Sequence, residues 1–138
     1  MRYLGLDLGT KTLGLSISDK TGMIASNYGV LKHDEDYDYL ITVLGDIITK
    51  EEIEALVLGF PKNMDNSIGM RASIALEFKE KLEKAFNLPV YMQDERLSTV
   101  EAEKMLISND ESRKKRKKVI DSIAAVIILQ SYLDGKGR

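Results

Sequence analysis

The stretch that decides the fold is Met1-Arg-Tyr-Leu-Gly-Leu-Asp-Leu-Gly-Thr-Lys-Thr-Leu-Gly-Leu-Ser-Ile-Ser-Asp19. Two runs alternate with a period of two, separated by Gly9-Thr10-Lys11, which is the pattern of a β-hairpin. Alternation puts Leu4, Leu6 and Leu8 on one face of the first strand and Tyr3, Gly5 and Asp7 on the other. On the second strand Leu13, Leu15 and Ile17 share a face, opposite Gly14, Ser16 and Ser18. Asp7 thus stands inside the alternation, with leucines behind it and glycine beside it. A carboxylate in mid-sheet is costly unless it is paired, hydrogen-bonded or bound to a cation. An Asp that merely caps the turn is the plainer alternative. Its place before the turn favours an Asp that faces a ligand.

Outward from the hairpin, Asp19-Lys-Thr-Gly22 reads as a second turn and residues 23–31 as a third antiparallel strand. The acidic segment 33–38 is a loop able to cap a helix over 37–50, where Leu40, Val43, Leu44, Ile47 and Ile48 fall at helical spacing. Ala55-Leu-Val-Leu-Gly59 is a buried parallel strand, followed by a polar loop to residue 69. A second helix spans 70–86 and a fifth strand spans 88–93, ending in Asp94-Glu-Arg96. Ser98-Thr-Val-Glu101 is a capping box that opens a third helix to about residue 107. A polar, highly charged connection over 108–118 leads to an almost wholly apolar helix over 119–133, which must be buried. The order β-β-β-α-β-α-β-α-α predicts one α/β domain over residues 1–138: a mixed five-stranded sheet with helices on its faces.

Composition narrows the function. The chain has 138 residues, 43% hydrophobic and 30% charged, as ordinary globular domains do. It has no cysteine, which excludes disulfides and thiolate metal sites. Its single histidine, His33, lies in the acidic loop, which argues against histidine catalysis or zinc. No signal peptide or membrane-length apolar run is evident, so a cytoplasmic location with no membrane partner is expected. Charge is uneven: nine basic against six acidic residues from Glu101 onward, in a chain of net charge −2. The excess is the block Arg113-Lys114-Lys115-Arg116-Lys117-Lys118. Such a block permits directed binding of a polyanion.

Three acids stand out. Asp7 is in the first strand, Glu95 (beside Asp94) closes the last one, and Asp121 falls near the start of the apolar helix. Singly, each has a plain explanation: turn cap, ion pair with Arg96, or complement to the helix dipole. Together they suggest convergence, since ligands gather beyond the carboxyl ends of parallel strands. Converging carboxylates repel unless a divalent cation neutralises them. Oxygen ligands without His or Cys select Mg²⁺ or Mn²⁺, and such sites hydrolyse phosphodiesters.

Four ordered motifs carry a resemblance: Leu6-Asp-Leu-Gly-Thr-Lys-Thr-Leu-Gly-Leu-Ser-Ile-Ser-Asp19, Leu58-Gly-Phe-Pro-Lys-Asn-Met-Asp65, Asp94-Glu-Arg-Leu-Ser-Thr99 and Asp121-Ser-Ile-Ala-Ala-Val-Ile-Ile-Leu-Gln130. Together they resemble the YqgF family of RNase H-like, Holliday-junction-resolvase-like proteins. The resemblance implies a ribonuclease H-like fold, a divalent-metal nuclease site and a role in maturing the 5′ end of pre-16S ribosomal RNA. It maps the family's acidic positions onto Asp7, Glu95 and Asp121, as catalytic and metal-binding residues. One departure is Asn66, where the family usually has glycine; Asn tolerates left-handed backbone, so the turn can survive.

Residue chemistry extends the site to substrate contacts. Thr10 and Lys11 at the hairpin turn can hold a phosphate. Lys62, Asn63 and Arg71 belong to the polar loop after the fourth strand and the helix that follows it, and Arg96 lies one residue past Glu95. Arg113, Lys114, Lys115 and Arg116 suit sequence-independent contact with a nucleic-acid backbone. The leading reading is a nuclease for structured nucleic acid, pre-16S rRNA before a DNA junction. Alternatives are a four-way-junction resolvase, which would act as a homodimer, and a non-catalytic RNA-binding protein. Asp-Leu-Gly-Thr-Lys also resembles the phosphate hairpin of the actin and sugar-kinase superfamily, but those proteins need two such domains and this chain has length for one.

Overall fold

The alternating leucines of the first hairpin lie against one helical layer and its small residues against another, and this division builds the fold. The computed structural model describes residues 1–60, 70–94 and 113–136, with the backbone alone for 113–122. Within these, β1 (Tyr3–Leu8), β2 (Thr12–Ser18), β3 (Ala25–Lys32), α1 (Tyr37–Glu51), β4 (Ala55–Phe60), α2 (Met70–Phe86), β5 (Val90–Asp94) and α3 (Arg113–Lys136) follow in order. The sheet order is β3-β2-β1-β4-β5. β1–β2 and β2–β3 are antiparallel, and β1–β4 and β4–β5 parallel. This is the mixed five-stranded sheet expected from the sequence. The expected helix over 98–107 lies outside the described residues.

Leu4 pairs with Ile17, Leu6 with Leu15 and Leu8 with Leu13, so both leucine rows share one face. They join Leu56, Leu58 and Val90, and are covered by Leu40, Leu44 and Ile47 of α1 and by Ala75, Phe78 and Leu82 of α2. On the opposite face Tyr3, Ala55 and Val57 meet Ile128, Leu129 and Leu133 of α3. The result is three layers, with the sheet in the middle. Each fully buried Leu or Phe contributes about 1.5–3 kcal/mol, so both faces together fix the register.

β5 runs Val90–Asp94 rather than 88–93, and two other boundaries differ for reasons visible in the structure. β3 starts at Ala25 because Met23 and Ile24, apolar in sequence, are exposed turn residues. The Asp19 carboxylate folds that turn, accepting the Met23 N–H (2.9 Å), the Ile24 N–H (3.1 Å) and the Thr21 hydroxyl. The second boundary is α3, which begins at Arg113 rather than near residue 119. The basic block is therefore helix, not connection. Lys and Arg are good helix formers, and the buried apolar half anchors the turns before it.

The Asp19 turn gives a pH prediction. The Thr21 hydroxyl first, then the Ile24 and Met23 N–H groups, hold its carboxyl well below the usual carboxylate range. A carboxyl whose folded pKa is depressed contributes stability above its unfolded value, about 3.9, and loses it as pH falls further. Asp19→Asn is therefore expected to melt below wild type at neutral pH, with the gap closing as pH drops below about 4. A gap independent of pH would contradict this.

Candidate active site

Strand alternation fixes which side chains can meet at the rim where β1, β4 and β5 end. Gly5 pairs with Val57, and Val57 with Tyr91. Val57 and Tyr91 face α3, Tyr91 stacking on Tyr132 at a centroid distance of 5.1 Å. Asp7, two residues after Gly5, therefore lies on the α3 face, opposite Gly14 of β2 and half-buried. Asp94 pairs with Phe60, which packs on the α1/α2 core. Asp94 thus sits on the other face of the sheet from Asp7. Glu95 itself, with Arg96, Lys62 and Asn63, lies outside the described residues.

The approach of α3 is set by small groups. Gly5 lacks a Cβ where Leu129 Cβ and the Ala125 carbonyl stand 2.8 and 3.2 Å from the place one would occupy. Buried Ser16, paired with Gly5, donates its hydroxyl to that Ala125 carbonyl at 2.7 Å. Further along, Gln130 accepts the Ala25 N–H (2.9 Å) and donates to the Met23 carbonyl (3.0 Å), latching α3 to the start of β3. At the far end Tyr132 lies between Tyr3 and Tyr91, and burial, then those two rings, pushes its phenol pKa up. Sequence alone did not single out Ser16 or Gln130. The available signal was a small polar residue on the same face as Gly5 and Asp7, beneath a helix that had to be buried.

Because α3 begins at Arg113, residue 121 is in its third turn. Helix-dipole effects fade within the first turn, so the plain explanation of Asp121 as a first-turn acid no longer applies. The side chains of Asp121, Arg113, Lys114, Lys115 and Arg116 are outside the described set.

The turn after β1 is tightly held. The Gly9 N–H donates to the Thr12 carbonyl (2.8 Å) and the His33 N–H to the Lys11 carbonyl (2.9 Å). Arg71, at the start of α2, donates Nη2 to the Leu8 carbonyl (3.2 Å), which brings it beside Asp7. Thr10 and Lys11 are exposed at the turn's tip. His33 is buried, its ring against the same turn rather than in open acidic loop. Asp7, Thr10, Lys11 and Arg71 are therefore gathered at one rim. Among the described residues no group of three acidic, His or Cys side chains is complete enough to hold a metal. Asp7 supplies one half-buried carboxylate opposite a glycine, a hard oxygen donor of the kind that Mg²⁺ and Mn²⁺ take.

A family profile described as RuvX, Holliday junction resolvase, matches residues 1–135. The chain belongs to the RuvX family. A relative from Geobacillus sp. (strain WCH70) is 53% identical over 137 residues, covering 99% of both chains. Another, from Bacillus subtilis (strain 168), is 52% identical over 135 residues, covering 97% of this chain and 98% of its own. Both are named as candidate pre-16S rRNA nucleases. RuvC from T. thermophilus, solved with a Holliday junction, aligns over 99% of this chain and 96% of its own, with a TM-score of 0.62 at 14% identity. The yeast mitochondrial Holliday junction resolvase Ydc2 aligns over 98% and 78%, with a TM-score of 0.56 at 13% identity. These likenesses show that the RuvX chain has the RNase H-like fold. Among the described residues, no helix is long and apolar enough to cross a membrane.

Proposed function

We propose that this RuvX-family chain is a divalent-metal-dependent nuclease acting on structured RNA, the 5′ end of pre-16S rRNA. Asp7, Glu95 and Asp121 would be its cation ligands. The observation that carries the reading is the place of Asp7: half-buried, facing Gly14, at the rim shared by the Gly9–Thr12 turn and Arg71. Family membership and the names of the relatives support it.

The strand-to-helix progression supports a convergence of Asp121 on Asp7. As β1 runs from Tyr3 to Gly5, its α3 neighbours run back from Tyr132 to Leu129 and Ala125. Two more strand residues advance about 6.6 Å, or roughly four helical residues at about 1.5 Å each. That brings Asp7 level with the turn containing residue 121. When bound, Mg²⁺ or Mn²⁺ supplies Lewis acidity toward a phosphoryl oxygen and eases deprotonation of water. Around it, the Lys11 ammonium and the Thr10 hydroxyl hold a phosphate of the substrate, and Arg71 keeps donors beyond the one given to Leu8. The chain's one histidine bonds to turn carbonyls, so the proton of the attacking water passes to a carboxylate or to solvent.

The basic block adds affinity without sequence preference. As the first turns of α3 it puts basic residues at the positive end of the helix dipole, where a bound anion would be favourable. Replacing Lys114 and Lys115 with Gln is expected to weaken RNA and DNA binding alike. It should also flatten the slope of log affinity against log salt by about 0.7–0.9 per lost contact. Fluorescence anisotropy across a salt series checks this, and an unchanged slope would remove the block from the interface.

The deciding experiment is a Mn²⁺- and Mg²⁺-dependent cleavage assay comparing a pre-16S 5′ leader with a four-way DNA junction, for wild type and Asp7→Asn. Cutting of the leader alone, lost in the variant, supports the ribosomal reading. Paired symmetric nicks in the junction would support the second reading, resolution by a homodimer, which the family's description favours. If neither is cut and both proteins bind both substrates equally, a non-catalytic binding role remains.

A further inference from the structure

His33 holds the turn after β1 through both its ring and its backbone. Its Nδ1 accepts the N–H of Glu35 at 3.1 Å. An Nδ1 that accepts cannot carry the ring proton of the neutral imidazole, so that proton is on Nε2. Nε2 lies 3.1 Å from the Gly9 carbonyl and 3.2 Å from the Thr12 carbonyl, to which it can then donate. The His33 backbone N–H takes the Lys11 carbonyl. Glu35 adopts φ 61°, a left-handed conformation unusual for a side-chain-bearing residue, in the same short segment. On its other side the ring meets Tyr37 at 5.8 Å, and Tyr37 meets Phe78 of the core at 5.9 Å.

This arrangement has a polarity. In a trans peptide the carbonyl and the following N–H point in opposite directions, and there are no cis peptides here. With the Gly9 carbonyl drawn in toward His33, the Thr10 N–H points away from the ring, on the side where Thr10 and Lys11 are exposed. The Leu8 carbonyl is likewise occupied, by Arg71. The Leu8, Gly9, Lys11 and Thr12 carbonyls are thus all engaged by the protein, and the Gly9 N–H is spent on the Thr12 carbonyl, which leaves the Thr10 N–H as the outward donor. Acceptors facing the substrate would repel a phosphate; a backbone donor beside an ammonium attracts one.

We propose that His33 is a positioning residue, which as the Nε2–H tautomer turns the Gly9–Thr12 carbonyls inward and presents the Thr10 N–H, with Lys11, to a phosphate of the nucleic-acid backbone. The inference rests on the nucleic-acid reading above and adds the residue that sets the polarity of the phosphate-binding turn. His33 touches no reacting atom. It acts through the turn.

The test uses the full chain and two variants. His33→Gln can keep a donor near the Nε2 position; His33→Leu keeps bulk and loses it. First, ¹⁵N-imidazole NMR of wild type should show a protonated Nε2 and an unprotonated Nδ1. Next, titration with inorganic phosphate should shift the Thr10 amide resonance in wild type and His33→Gln, but not in His33→Leu. Finally, His33→Leu should bind a single-stranded RNA oligonucleotide about tenfold more weakly, the loss of one charge-assisted hydrogen bond, with His33→Gln closer to wild type. Where a substrate is cut, KM should rise with kcat unchanged. An Nδ1–H tautomer, a Thr10 amide indifferent to phosphate, or RNA binding by His33→Leu equal to wild type would each overturn the proposal. Failure of the nuclease reading is distinguishable. If wild type cuts nothing while the tautomer, the phosphate shift and the variant order hold, His33 positions a binding turn and the catalytic assignment fails alone.

Discussion

Asp7→Asn is expected to lower kcat for whichever substrate the wild type cuts by at least about 10²-fold, the scale of losing one electrostatic element of a phosphoryl-transfer site. Nucleic-acid affinity should remain near wild type, because Lys11, Arg71 and the basic block are untouched. The amide is nearly isosteric and Asp7 is only half-buried, so melting should change little. The sharper readout is metal. A cation bound only by the folded state stabilises it by about 2.7 kcal/mol at a hundred times its Kd. That is several degrees in Tm for a chain of this size. Wild type should gain that shift on adding Mn²⁺, and Asp7→Asn should lose most of it. Equal shifts in both proteins would place the metal elsewhere and leave Asp7 a structural acid.

How far the sequence could be read depended on whether a signal was local. The hairpin, the leucine rows and the position of Asp7 on the opposite face were legible because a period of two fixes all of them at once. Register with Gly14 and Ser16 follows from the turn. The start of β3 was misread because Met23 and Ile24 look like strand, while their exposure is dictated by Asp19, whose three hydrogen bonds no hydropathy pattern contains. The start of α3 was misread for the reverse reason: six charges resemble a connection, yet their helix propensity is high and the buried half of α3 supplies the anchor. Extending the helix moved Asp121 from a first-turn acid to a third-turn one, and this changed what its presence means. Along the chain His33 has acidic neighbours, which argue against a role at the site. Its neighbours in space are turn carbonyls twenty-one and more residues away, a relation only the fold creates.

The same small-residue face yields the largest expected effect on stability, from Gly5→Ala. A Cβ at this position overlaps the Ser16 hydroxyl and comes within 2.8 Å of Leu129 Cβ and 3.2 Å of the Ala125 carbonyl. The Ser16 hydroxyl can rotate away only by giving up its bond to that carbonyl, in a site where Ser16, Ala125 and Leu129 are all buried. Overpacking costs about 1–3 kcal/mol, and the lost hydrogen bond about 1 more. The variant should therefore melt roughly 5–15 °C below wild type. Rotation of Ser16 leaves the Leu129 and Ala125 contacts in place, and α3 moving off the sheet relieves those. In the proposed site that motion would draw residue 121 away from Asp7, and a misplacement of about 1 Å at a reacting centre can cost on the order of 10²-fold in rate. Activity should accordingly fall at temperatures where Gly5→Ala is still fully folded, which a purely thermodynamic defect would not produce. Combining it with Ser16→Gly removes the severest overlap but not the Leu129 contact. The double variant should thus be more stable than the sum of the two single effects by about 1 kcal/mol, as residues in contact are non-additive. Additive effects, or a Gly5→Ala protein that melts and cuts as wild type does, would mean that α3 does not seat as closely on β1 as Gly5 permits.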